Sequence, residues 1–161
     1  MADLRELLEH LGFTDARSLL QSGNLVFRSG VRTGAPLERM LETGAAQRLS
    51  LETDVFVRTA DEWKQMIARS PFEEEARRDP GHLVVVFLKE APAAGTIQTL
   101  QEAITGPEVV RASGSHLYIS YPEGIGRSKL TTALIERNLG SRGTARNWNT
   151  VLKLGAAAAD L

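Results

Sequence analysis

The chain has 161 residues and carries 19 Lys and Arg against 20 Asp and Glu, a formal net charge of −1. That balance argues against a general nucleic-acid binder, which needs a basic excess to neutralise phosphates. There is no cysteine, so disulfides, thiolate metal sites and cysteine nucleophiles are excluded and a reducing cytoplasm is the expected setting; no apolar run approaches the roughly 20 residues of a membrane span.

The opening "MADLRELLEHLGF" sets acids within an amphipathic pattern, unlike a signal peptide. Leu4, Leu7, Leu8 and Leu11 follow helical spacing up to Gly12, which predicts a helix over 2–11. "ARSLLQ" and "NLVFRS" flank a Ser-Gly pair and read as a hairpin. "APLERMLETGAAQRL" reads as a helix, "TDVFVR" as a strand, and "DEWKQMIARS" as a helix capped by Thr59 or Asp61. The charged stretch "FEEEARRDPG" has no apolar partner pattern and reads as a connector.

"HLVVVFLKE" is apolar enough to be a central strand. After it come a helix ("AGTIQTLQEAI"), two strands ("PEVVRA", "HLYISY"), the loop "PEGIGR", a helix ("SKLTTALIERNLG"), a short strand ("GTARN") and a last helix ("WNTVLKLGAAAAD"). Residues 81–146 therefore give β-α-β-β-α-β, the split βαβ or ferredoxin-like pattern, and residues 2–58 give the same pattern without its opening strand. The expected fold is α+β: two ferredoxin-like lobes in tandem, an incomplete one over 1–70 and a second over 81–161 with an extra C-terminal helix, joined by a charged connector over 71–80.

Two segments carry the candidate site. "EGIGRSKLT" places Gly126, Arg127 and Lys129 at the entry to a helix, where free N–H groups attract anions. Its glycine spacing is not that of a Walker A loop, and the plainer reading is a helix capped by Ser128 with Arg127 solvated. "RNWNT" offers Arg146, Asn147 and Asn149; its plainer reading is Asn147 as a cap and Trp148 in the core. Strand order 4-1-3-2 makes the strands before these segments parallel neighbours across one strand, so both segments are expected at one sheet edge. A small phosphorylated or carboxylated ligand is the expected partner. The alternative is a nucleic-acid or protein interaction module using Trp148 and the nearby arginines. His10, His82 and His116 lack ligand spacing, so no metal or other cofactor is implied. No nucleophile elbow occurs and no residue stands out as a general base, which leaves enzymatic activity open.

"MADLRELLEHLGFTDARSLLQSGNLVFRS", "SPF", "GRSKLTTALIERNLG" and "TARNWNTVLKL" together resemble a bacterial family, domain of unknown function 1697. The resemblance implies an α+β fold with ferredoxin-like lobes and no established activity. Members typically begin with a strand and a glycine-rich turn of the type "LLRGINVGG", ahead of the segment that residues 1–11 match. This sequence lacks that element, which implies an open seam between the strands near 24–29 and 53–58. The turn "QSGN" should lie at the same edge as the missing one, so Gln21 and Asn24 are added to the candidate polar groups.

Overall fold

In the computed structural model, which describes residues 2–20, 23–30 and 32–161, the leucine-spaced opening segment is helix α1 (Ala2–His10). Its end follows from Gly12, which adopts φ +93°: Gly12 N–H donates to Glu9 O and Phe13 N–H to Leu8 O, both at 3.0 Å. This is the Schellman arrangement, with the usual apolar contact supplied by Phe13 and Leu8 in one buried cluster. Strands β1 (Thr14–Leu19) and β2 (Asn24–Arg28) follow as an antiparallel hairpin. Helix α2 (Gly34–Leu49) completes the cluster with Leu37 and Leu41, and its Gly44 lets α1 approach: a Cβ there would stand 3.2 Å from Leu7 Cδ1.

Residues 53–58, read from the sequence as a strand, are not one. The segment runs without a ladder, and its alternate amides go to the side chains of α2: Val55 N–H donates to Glu42 Oε2 and Val57 N–H to Glu38 Oε2, each at 2.7 Å. Glu38 and Glu42 are one helical turn apart, so their carboxylates meet amides two residues apart on an extended chain. The residue composition suits a strand, but β propensity is realised only against a neighbouring strand. The first sheet is therefore two-stranded, β1-β2, among the described residues. Arg58 lies against Glu38 at 3.8 Å with both side chains buried. Thr59 and Glu62 then form a capping box: Glu62 N–H donates to Thr59 Oγ1 and Thr59 N–H to Glu62 Oε1, starting α3 (Ala60–Ala68).

The acidic run does not stay irregular: it opens the short helix α4 (Glu73–Arg78), where Glu74 pairs with both Arg77 and Arg78. Three acids in its first turn and two arginines in its last complement the helix dipole. A 3-10 turn over Pro80–His82 leads into β3 (Leu83–Leu88), every residue of which is buried. Then follow α5 (Thr96–Ala103), β4 (Val109–Ser113), β5 (His116–Ser120), a 3-10 turn over Ile125–Arg127, α6 (Thr132–Leu139), β6 (Gly143–Asn147) and α7 (Trp148–Ala159). The four strands form one antiparallel sheet in the order β4-β5-β3-β6, so β3 is flanked on both sides. Val84, Val86 and Leu88 on one face pack with Leu100 of α5, Ile135 of α6, Leu117 and Ile119. On the other face Tyr118 donates its hydroxyl hydrogen to Met66 O at 2.6 Å.

The chain divides into two compact units, Met1–Lys64 with Leu152–Leu161, and Gln65–Val151. The first holds the hairpin, α1 and α2; the second holds the four-stranded sheet with α4, α5 and α6. No helix among the described residues is long and apolar enough to cross a membrane.

Candidate functional site

The sheet register brings the ends of β5 and β6 together. Ser120 pairs with Leu83 and Asn147 with Val84, so both strands finish at the edge where β3 begins. The chain leaves β5 through Tyr121, whose N–H donates to His82 O at 2.8 Å. It then turns at Gly124, which adopts φ +87° and donates its N–H to Tyr121 O. Arg127 and Lys129 follow, both exposed, as is Gly126, where an added Cβ would meet nothing within 4 Å.

This loop is fastened from below. Ser128 Oγ donates to Glu108 Oε1 at 2.6 Å and accepts from Leu130 N–H at 3.0 Å. Glu108 is 8% exposed. Tyr121 donates its hydroxyl hydrogen to Leu130 O at 3.0 Å. Burial, with the Glu108 carboxylate adding to it, pushes the Tyr121 phenol up to about 12. Helix α6 is then capped by Thr131, whose Oγ1 accepts from Leu134 N–H at 3.2 Å; Ser128, the expected cap, is used by the loop instead.

On the β6 side Asn147 caps α7, its Oδ1 accepting from Thr150 N–H at 3.0 Å. Trp148 is 4% exposed and belongs to the core, while Asn149 is exposed. Arg146 takes its place from the register of β6. It pairs with Val85, so its side chain leaves the sheet on the face opposite the one Val84 and Asn147 share. Its Nη1 donates to Thr144 Oγ1 at 2.7 Å and to Ala145 O at 2.8 Å. The guanidinium thus runs back along β6, away from the edge, and burial lowers its pKa. Asn24 belongs to the first unit, where its Nδ2 donates to Leu19 O at 3.3 Å across the hairpin; Gln21 lies outside the described residues.

Sequence reasoning missed a histidine that lies beside the loop. His82 Nδ1 lies 2.8 Å from Asp79 Oδ2, and its Nε2 lies 3.5 Å from where a Cβ of Gly124 would stand. The signal was there in "DPGH", an acid three residues before a histidine, but screening histidines only for metal ligation passed over it. Among the described residues no three His, Asp or Glu side chains are grouped so as to hold a metal ion.

An α+β chain with a four-stranded antiparallel sheet and a polar edge of this kind is the class the geometry defines. The chain belongs to the family described as protein of unknown function, DUF1697, whose model matches residues 1–118. The matched stretch ends within β5, ahead of Gly126–Asn149. No curated protein matches the chain. Among solved structures, the conserved bacterial protein SP0830 from Streptococcus pneumoniae is similar to it with a TM-score of 0.74 at 21% identity, over 98% of this chain and 88% of that one. That likeness covers the candidate edge as well, and it is a likeness of fold.

Proposed function

We propose that the second unit binds a small anionic ligand, bearing a phosphate or carboxylate group, at the edge where β5 and β6 end. The observation that carries the reading is the shared edge itself. Ser120 and Asn147 close on adjacent residues of β3, and exposed Arg127 and Lys129 follow one strand while exposed Asn149 follows the other. Across one intervening strand the two ends are about 10 Å apart, a span that a phosphorylated metabolite bridges. Arg127 and Lys129 would supply the charge, Gly126 an unobstructed backbone approach and Asn149 a directional amide. Asn147 serves by capping α7, and Arg146, turned to the other face, is left out.

The β-α-β-β-α-β order and strand sequence of the second unit support reading it as a ferredoxin-like lobe, with the first unit as a reduced relative of the same plan. A cysteine-free chain suits the cytoplasm of a bacterium. The alternative module built on Trp148 loses support from that residue's burial, because a ring enclosed in a core offers no face to a base or partner.

A thermal-shift screen with sugar phosphates, nucleotides, carboxylates and short oligonucleotides tests the reading. A ligand at about 100 times its Kd adds about 2.7 kcal/mol of stability. An anion should raise the melting temperature of the native chain, and Arg127→Gln combined with Lys129→Gln should abolish the shift without lowering the unliganded Tm. Shifts given only by oligonucleotides, or equal shifts in the double variant, would sink it.

A further inference from the structure

We infer that His82, oriented by Asp79, is the proton-accepting partner of this edge and that anion binding there draws a proton onto its ring. The inference rests on the anion-binding reading and names the residue that would regulate it. His82 sits at the turn leading into β3, between the ends of β5 and β6, and its carbonyl is fixed by Tyr121 N–H at 2.8 Å. A carboxylate only accepts hydrogen bonds, so the contact of 2.8 Å between Asp79 Oδ2 and Nδ1 assigns the Nδ1 hydrogen to that bond. Nε2 is then the nitrogen presented to the loop, 3.5 Å from where a Cβ of Gly124 would stand. In the neutral ring Nε2 accepts and repels an anion; in the charged ring it donates and attracts one.

The charged groups on the surrounding elements make this choice matter. Asp79 stands beside the ring, and α4 before it carries Glu74 paired with Arg77 and Arg78. The loop after β5 carries Glu123, Arg127 and Lys129, and β6 carries Arg146, directed back toward Thr144. Glu108, held by Ser128 beneath the loop, joins Asp79 and Glu123 against Arg127 and Lys129, so a protonated His82 turns an edge with one excess negative charge into a neutral one.

The probe is sulfate, a dianion that does not itself titrate near neutral pH. Calorimetry of the full chain in two buffers of different ionisation enthalpy gives the protons taken up per ion bound. The expected result is net uptake in the native chain, lost in His82→Gln with affinity about tenfold weaker, the worth of one hydrogen bond to a charged group. Arg127→Gln should also bind more weakly yet keep its uptake per bound ion, and both variants should melt as the native chain does. Binding without uptake in the native chain, or unchanged uptake in His82→Gln, overturns the role of His82 and leaves the anion site standing. No binding of sulfate by the native chain overturns both.

Discussion

Single residues set the exit from β5, and Tyr121 makes the case testable by pH. Its phenol is raised from 10.0 to about 12 by burial and then by Glu108. A folded pKa above the unfolded one means the folded state holds the proton more tightly. The contribution is therefore complete below about pH 10 and is lost as pH rises toward about 12, amounting to roughly 2–3 kcal/mol. Tyr121→Phe lacks the bond to Leu130 O and should be about 1 kcal/mol less stable at neutral pH. Its denaturation curves should not share the alkaline decline, so the two stabilities should cross; a constant difference from pH 8 to 12 would remove Tyr121 as the cause. Gly143 is a second such position. A Cβ there would stand 3.0 Å from Leu88 Cδ2 and Val86 Cγ1 and 3.1 Å from Phe87 O. Gly143→Ala should cost about 1–3 kcal/mol by overpacking, while Gly126→Ala, facing open space, should escape that cost; equal urea midpoints for the two would refute the contrast.

At the scale of elements, the segment 53–58 shows where pattern reading stops. Alternating Val55 and Val57 mark the side that faces the core, since both pack on the Leu37–Leu41 cluster, but the strand expected there does not form. Which group receives the amides was not legible, because Glu38 and Glu42 look like ordinary solvated positions of a helix. Their reach to Val57 and Val55 is a tertiary event. The same holds for Glu108, whose partner Ser128 is brought to it by sheet register and loop geometry, whereas the Asp79–His82 pair, three residues apart in "DPGH", was within reach of spacing. Long runs with one dominant period were legible throughout: the buried strand Leu83–Leu88, the helix caps at Gly12 and Thr59, and the cap at Asn147 follow from residue type. A double-mutant cycle tests the carboxylate bridge. Glu38→Ala removes the acceptor of Val57 N–H and the near carboxylate of buried Arg58, and should cost about 3 kcal/mol. With Arg58→Met already in place the cost should fall by about 1 kcal/mol or more. Additivity within about 0.5 kcal/mol would show that the two side chains are not coupled.

For the whole molecule, the family match and the fold place different weights on the last third of the chain. The match ends at residue 118, yet the core does not. Ile119, Tyr121, Leu130 and Ile135 belong to the buried cluster around Val84, Val86 and Leu88, and β6 pairs with β3 from Val84 to Leu88. Removing residues 119–161 would strip one edge of the most apolar strand and uncover the face that α6 protects. An unpaired, fully apolar edge is a template for association with other chains, and each lost Leu or Ile contact forfeits roughly 1.5–3 kcal/mol of burial. Those losses are comparable with the margin of a typical domain, about 5–15 kcal/mol in all. A fragment ending at residue 118 should therefore be insoluble or unfold without a cooperative transition, although it contains every residue the family model matches. The full chain should show a cooperative loss of far-ultraviolet dichroism on heating. A soluble 1–118 fragment with an equally sharp transition would mean that β3 is stabilised without β6, and that the last third is an appendage rather than part of the core.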